Sequence, residues 1–245
     1  MTELLPSQSE QDYLKAIYHL TRGEAKERTG PAALADWLGF SCASATNMVK
    51  KLAERGLVTH SPYHGVALTA MGEKVALEVL RHHRLLETYL SERLGVPWER
   101  VHAEADRLEH ALSEDLEARL DADLGYPTTD PHGAPIPTKE GVIVAPATQR
   151  LWHVAPGSTV TVAEVADEDA ALLTYLADLG LVPGAAVDVL AKAPFDGPLH
   201  IRVGANDYAL GETVTRAVSV GLPTFPPARK SPGLPKRERG ENAGR

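Results

Sequence analysis

The chain has 245 residues, of which 43% are hydrophobic and 24% are charged, and its formal net charge is −8. This composition is ordinary for two or three globular domains, and no apolar run approaches the ~18 residues of a membrane span, so we expect no membrane segment. The polar start at Met1–Glu10 predicts no secretory signal. The single cysteine, Cys42, excludes a disulfide framework and a Cys-rich zinc finger, and it fits the reducing cytoplasm.

The negative charge is concentrated in the middle of the chain. Residues 1–75 carry 8 basic and 8 acidic side chains, whereas residues 76–124 carry 6 and 12. The overall charge therefore does not exclude an N-terminal unit that binds nucleic acid, and the acidic middle favours a cation as its ligand. The proline content also changes along the chain, since only 4 of the 18 prolines lie before residue 125.

We predict four segments, at 1–74, 75–140, 141–225 and 226–245. The last is predicted to be a disordered basic tail.

The N-terminal segment has the outline of a helix-turn-helix. Pro31 suits the first position of a helix, Gly39 ends that helix, and Ser41 caps a second helix that runs to Arg55. Two β-prone runs follow on either side of a turn and predict a hairpin, the wing of a winged helix.

The second of these helices is the predicted reader of DNA bases. Its polar and basic residues that project from the predicted surface are Ser44, Thr46, Asn47, Lys50 and Lys51. Hydroxyls and amides read base edges and lysines hold phosphates, so this pattern is typical of a recognition helix. The alternative is a three-helix unit whose lysines are merely solvated.

The acidic middle predicts two long helices, broken at Gly95–Trp98, and a metal site on them. The second helix, near Val101–Leu120, carries His102, Asp106, Glu109 and His110 at spacings that place them on one face, and the first carries His83 and Glu87 four residues apart. Imidazoles and carboxylates packed together are neutralised by a divalent cation. The alternative is a solvated acidic face with incidental histidines.

The C-terminal part predicts a small β-barrel after a proline-rich linker. The linker spans Tyr126–Pro137, and its His132 is interpreted as structural. The β-prone runs are Val160–Val165, Val187–Leu190, His200–Val203 and Val214–Val218, with a helix at Asp169–Leu179.

This order of elements resembles the diphtheria toxin repressor (DtxR) family of metal-dependent regulators, which includes the manganese regulator MntR. The resemblance covers about residues 7–222. The motifs that carry it are Asp12-Tyr13-Leu14 with Ile17-Tyr18, the run His82 to Glu87, the run Val101 to Asp106 with Leu108-Glu109-His110, and the run Asp130 to Pro137. It implies a mainly α protein with β structure: an N-terminal winged helix-turn-helix, a helical dimerisation and metal-binding domain, and a C-terminal SH3-like β-barrel.

The resemblance also implies two metal sites. The primary site comprises Asp12, Asp106, Glu109 and His110. The ancillary site comprises His83, Glu87 and His102, completed from the barrel by Asp169 or, as the alternative, its neighbour Glu168. The second barrel ligand of the family aligns with Leu172, which cannot coordinate a metal.

The ligand types bear on the metal. Iron-responsive members place Met and Cys where this chain has Asp12 and Asp106, and replacing sulfur by carboxylate favours Mn(II), with Fe(II) as the alternative. Manganese regulators carry an acid where this chain has Lys15, which argues against their closely spaced pair of metal ions.

The implied function is that of a cytoplasmic homodimer that binds double-stranded operator DNA and represses metal-uptake genes when metal is bound. It would not be an enzyme. Two other classes stay open: a metallohydrolase, although no nucleophile motif or phosphate loop is present in the sequence, and a metal-buffering protein, in which the winged helix would have no purpose.

Overall fold

The computed structural model describes residues 6–22, 28–61 and 64–222. The first unit consists of α1 (Gln8–Arg22), α2 (Pro31–Leu38), α3 (Cys42–Glu54) and the antiparallel hairpin β1 (Val58–Ser61) and β2 (Gly65–Leu68). Gly39 ends α2 with a positive φ of 70°, and the Ser41 hydroxyl accepts the backbone N–H of Ser44 at the start of α3. The predicted helix-turn-helix and wing are confirmed.

A long helix, α4 (Ala70–Glu92), joins this unit to the rest of the chain. Its start passes so close to β1 that a Cβ on Gly72 would lie 1.9 Å from the carbonyl oxygen of Leu57. The first half of α4 packs into the core of the N-terminal unit through residues such as Leu80. Its second half buries His83 and Glu87, so one helix connects the apolar core of the DNA-binding unit to a buried polar cluster.

The second predicted helix is divided in the structure. The chain forms α5 (Trp98–Leu108), a 3-10 turn at Glu109–Ala111, and α6 (Glu114–Asp123). Ser113 begins α6, because its hydroxyl accepts the backbone N–H of Leu116. The prediction of one helix to Leu120 was therefore wrong, and the break falls between the metal-ligand candidates of that segment.

The linker after α6 is ordered by its own polar groups. One carboxylate oxygen of Asp130 accepts the backbone N–H groups of His132 and Ala134 at 2.8 and 3.0 Å. Gly133, at φ 89°, lies so close to the next domain that a Cβ there would be 1.9 Å from the carbonyl oxygen of Ala163. These contacts hold the linker against the start of the C-terminal sheet.

The C-terminal unit is a six-stranded sheet around a second apolar core. Its strands are β3 (Thr148–Arg150), β4 (Thr159–Val165), β5 (Ala186–Lys192), β6 (Leu199–Val203), β7 (Asn206–Leu210) and β8 (Val218–Gly221), in the order β3-β8-β4-β5-β6-β7, and its helices are α7 (Ala170–Asp178) and α8 (Glu212–Arg216). All neighbouring strands are antiparallel.

Three details differ from the prediction for this unit. The sheet is open in the described residues, since its edge strands β3 and β7 do not pair. The strand predicted at Val214–Val218 is partly helical, because α8 occupies Glu212–Arg216 and β8 begins at Val218. Strands β3 and β7 were not predicted.

Two expectations concern the chain as a whole. Within residues 6–22, 28–61 and 64–222, no helix is both long and apolar enough to cross a membrane. The basic tail predicted at 226–245 lies outside the described residues.

Candidate metal centre and DNA-binding surface

Asp12, Glu109 and His110 form a ligand group between the first helix and the 3-10 turn after α5. Each offers one ligand atom, and these atoms lie within 4.8 Å of one another. His110 Nε2 is 2.8 Å from Asp12 Oδ1 and 3.4 Å from Glu109 Oε1. Glu109 is 1% exposed. The structure thus joins a side chain of the DNA-binding unit to two side chains of the helical unit.

Gln11 orients the histidine of this group. Its side-chain oxygen lies 2.6 Å from His110 Nδ1, and because this oxygen is an acceptor, the ring nitrogen is the donor. The other nitrogen, Nε2, is left to face Asp12 and Glu109. Sequence reasoning missed Gln11, although its position next to Asp12 on α1 was a usable signal.

A second ligand group consists of His83, Asp106 and Glu109. His83 Nδ1 lies 2.5 Å from Glu109 Oε2 and 3.3 Å from Asp106 Oδ1. The ammonium group of Lys15 contacts the same carboxylates, at 2.9 Å from Asp106 and 2.7 Å from Glu109. Asp106, expected beside Asp12, is therefore grouped with His83, since α5 ends before Glu109 and the turn directs Glu109 and His110 separately.

A third group comprises His83, Glu87, His102 and Asp167. Glu87 Oε1 lies 3.0 Å from His83 Nε2 and 3.2 Å from His102 Nδ1, and Asp167 Oδ2 lies 3.6 Å from His102 Nδ1. Burial lowers the pKa of His83, but the carboxylates of Glu87 and Glu109 outweigh it and raise that pKa to about 9.

His102 is shifted in the same direction. Burial lowers its pKa, but hydrogen bonds to Asp167 and Glu87 outweigh this effect and raise the pKa to about 11. The imidazoles of this group therefore lie in a strongly negative environment, which also favours a bound cation.

The barrel residue in this group is Asp167 and not Asp169. Asp169 is exposed at the start of α7, where one carboxylate oxygen accepts the backbone N–H groups of Ala171 and Leu172 at 2.9 and 3.1 Å. Its side chain is used as a helix cap. The alternative, Glu168, is exposed as well. The structure does not bring either predicted residue to His102, whereas Asp167, two residues earlier, reaches it.

The linker supplies a fourth, overlapping group, formed by Glu87, Asp130, His132 and Asp167. His132 Nε2 lies 2.9 Å from the carbonyl oxygen of Trp98, so this nitrogen is the donor. His132 Nδ1 and Glu87 Oε2 are buried and have no hydrogen-bond partner among the described residues. His132, interpreted from sequence as structural, thus presents an unpartnered ring nitrogen toward two carboxylates. Burial lowers its pKa, but these carboxylates outweigh burial and raise the pKa to about 9.

These observations fit a divalent cation. A buried polar atom without a partner is costly, and two such atoms beside carboxylates are satisfied by one positive ion. The ligand groups of the described residues contain carboxylates and imidazoles, which suit Mn(II), Fe(II) and Zn(II). Cys42 is exposed at the start of α3, outside these groups.

The predicted DNA-reading residues lie on α3. Ser44, Asn47 and Lys50 are exposed, whereas Ala45 and Val49 face the core. The other two candidates already have intramolecular partners. The Thr46 hydroxyl donates to the carbonyl of Cys42 at 2.8 Å, and Lys51 Nζ lies 3.4 Å from Glu10 Oε1.

Known proteins are similar to this chain in fold and in sequence. Family models match at residues 7–66 (iron dependent repressor, N-terminal DNA binding domain), 69–138 (iron dependent repressor, metal binding and dimerisation domain) and 149–221 (FeoA domain). The iron-dependent repressor IdeR of Mycobacterium leprae (strain TN) is 35% identical over 222 residues, which cover 85% of this chain and 94% of that protein.

Two solved structures extend the comparison. A manganese-dependent transcriptional repressor in complex with manganese is 39% identical with a TM-score of 0.82, and the match covers 86% of this chain and 99% of the other. The repressor ScaR with bound Cd²⁺ is 31% identical with a TM-score of 0.76, over 88% of this chain and 99% of the other. The fold and the sequence define the same class, a metal-dependent DNA-binding protein.

The chain belongs to the DtxR family of metal-dependent transcriptional repressors. Members of this family are repressors and not enzymes, so the metallohydrolase alternative is set aside. Iron-dependent and manganese-dependent proteins both occur among the relatives.

Proposed function

We propose that this chain is a homodimeric repressor that Mn(II) activates for binding to the operators of metal-uptake genes. The observation that carries the proposal is the ligand group of Asp12, Glu109 and His110. Asp12 belongs to the first helix of the DNA-binding unit, whereas the other two follow α5. A divalent ion there supplies a positive charge shared by both units, so metal affinity and DNA-binding geometry become coupled.

The choice of Mn(II) rests on the donor set. Asp12, Glu109 and His110 offer two carboxylates and one imidazole, and hard oxygen ligands suit Mn(II). The likeness to a manganese-dependent repressor supports this ion. Fe(II) is the second candidate, because the likeness to IdeR is nearly as strong and the same ligands accept iron.

We further propose that the group around Glu87 is the ancillary site. Asp167 brings a carboxylate from the C-terminal sheet, while Glu87 and His102 lie on α4 and α5. An ion held there links the C-terminal domain to the helical unit. His132, with its free Nδ1, is the additional candidate from the linker.

We propose that each predicted segment forms a domain with its own function. The DNA-binding domain comprises 1–74, the dimerisation and metal-binding domain 75–140, and the FeoA-type domain 141–225. Exposed Leu94, Leu108 and Leu116 provide apolar surface in the middle segment that a second copy can cover. In a dimer, two copies of α3 with Ser44 and Asn47 would enter successive major grooves.

A mobility shift tests this proposal. The purified protein is titrated onto DNA from upstream of neighbouring metal-transport genes with Mn(II), with Fe(II) under anoxia, and with chelator. We expect retention with metal only, and we expect Mn(II) to retain the DNA at a lower free concentration than Fe(II). Equal retention in chelator would contradict metal activation. Metal binding without DNA affinity under any condition would favour the metal-buffering alternative.

A further inference from the structure

Lys15 is a largely buried cation that contacts two of the ligand groups. It lies on α1, its side chain is 16% exposed, and its ammonium group donates to Asp106 Oδ1 at 2.9 Å and to both oxygens of Glu109 at 2.7 and 2.9 Å. A lysine side chain that donates to two carboxylates in this way is an ammonium ion, and it places one positive charge between them.

Two ligand groups adjoin at this point. Asp12, Glu109 and His110 form one, His83, Asp106 and Glu109 form the other, and Glu109 belongs to both. Lys15 contacts the shared residue and the one carboxylate that is special to the second group. The second group thus already holds a positive charge that the protein itself supplies.

The charges decide how many ions the region accepts. With the imidazoles neutral, as metal coordination requires, the carboxylates of Asp12, Asp106 and Glu109 contribute −3, and Lys15 reduces this charge to −2. One divalent ion neutralises the remainder. A second ion would leave an excess of +2 around the buried Glu109 unless it displaced the ammonium group, and either outcome is unfavourable where charges are poorly solvated.

We propose that Lys15 is the resident cation of the His83–Asp106–Glu109 group and thereby limits the region to one divalent ion per protomer. The proposal rests on the metal site of the proposed function and adds a residue that sets its stoichiometry. Lys15 would thereby let the chain respond to one ion at Asp12, Glu109 and His110. A neighbouring metal site would not have to be filled first.

The test is to count Mn(II) ions in variants at position 15. Lys15→Glu changes the charge of the region from −2 to −4 and adds a carboxylate, so we expect one additional Mn(II) ion per protomer, measured by equilibrium dialysis of the purified protein. Because both groups use Glu109, the added ion should also produce a spin-coupled pair in the Mn(II) EPR spectrum. Lys15→Arg keeps the charge and should retain the wild-type count.

A second pair of variants keeps the test decisive if Lys15→Glu folds poorly. Lys15→Gln removes the charge without adding a ligand, and we expect it to take up the additional ion at a higher free Mn(II) concentration. Adding Asp106→Ala to either Lys15 variant should abolish that extra ion, because the second group then loses its own carboxylate.

Two results would overturn the proposal. One is an unchanged Mn(II) count in both Lys15→Glu and Lys15→Gln, and the other is a spin-coupled pair in the wild type. Either result leaves the proposed function standing, provided that the wild type binds one Mn(II) ion at the Asp12 group. Failure of the wild type to bind Mn(II) or Fe(II) at all would instead refute the proposed function.

Discussion

Asp167 and Asp169 are two residues apart and are expected to have different functions. Asp167 lies 3.6 Å from His102 in a ligand group, whereas Asp169 caps α7 through two hydrogen bonds. The variants Asp167→Asn and Asp169→Ala therefore form a matched pair. The first should weaken metal binding at the ancillary site, and the second should weaken folding.

The magnitudes follow from the contacts. Loss of a residue that only supports a metal ligand typically costs about 10–100-fold in metal affinity, so loss of the proposed direct ligand Asp167 should cost at least about 100-fold at the ancillary site. Loss of a helix cap costs about 1 kcal/mol, so Asp169→Ala should reduce the free energy of unfolding by that amount. The exposure of Asp169 predicts an unchanged metal affinity.

Calorimetric titration with Mn(II) and urea unfolding of the same two proteins separate these effects. We expect metal binding at the ancillary site to weaken in Asp167→Asn alone. If Asp169→Ala lost that ion and Asp167→Asn kept it, the assignment of the barrel ligand would be refuted.

Three further predictions concern pH and DNA. Burial raises the pKa of Glu10, but its partners outweigh this and lower it to about 2, so its stabilisation is full above pH 4.5 and is lost as the pH falls toward 2. Glu10→Gln should thus reduce the free energy of unfolding by about 2 kcal/mol at pH 7, the size of a hydrogen bond to a charged group, and by progressively less in acid. Urea unfolding at several pH values would show this, and a loss independent of pH would contradict it. His83 and His102, with pKa values of about 9 and 11, are protonated at pH 7, so Mn(II) binding should release protons and become tighter as the pH rises. Calorimetry in buffers of different ionisation enthalpy measures this proton release. If no proton were released, His83 and His102 would be excluded as ligands. In binding-site selection, Asn47→Ala should relax the base preference, whereas Lys50→Ala should lower the affinity for all DNA sequences alike. The reverse result would mean that the residues that read the bases are wrongly assigned.

Local signals explain which elements the sequence predicted. Gly39 and Ser41 act within a few residues of the helix ends they define, so the helix-turn-helix was readable. The helix break after Leu108 could not be predicted, because the spacing of apolar residues continues through it and neither Gly nor Pro marks it. The strand expected at Val214–Val218 failed because β-branched residues also form α8 where Thr215 bonds back to the Gly211 carbonyl.

The metal site shows the same division between local and distant information. Helical spacing and family resemblance selected His83, Glu87 and His102, which the structure brings together. Two acids in one short run, Asp167 and Asp169, were indistinguishable by sequence, because the choice depends on which one caps α7. His132 was interpreted as structural, and its unpartnered nitrogen reaches the site only through the folded linker, which no local sequence signal shows.

The central claim is that one ion shared by Asp12, Glu109 and His110 couples metal to DNA binding. The most direct test is the ratio of DNA affinities with Mn(II) and with chelator, measured for the wild type and for Asp12→Ala. A coupling of 1–3 kcal/mol, typical of allosteric proteins, predicts a ratio of about 5–150 for the wild type and a ratio near one for the variant, with fold and dimer intact. An Asp12→Ala protein that kept the wild-type ratio would contradict the account.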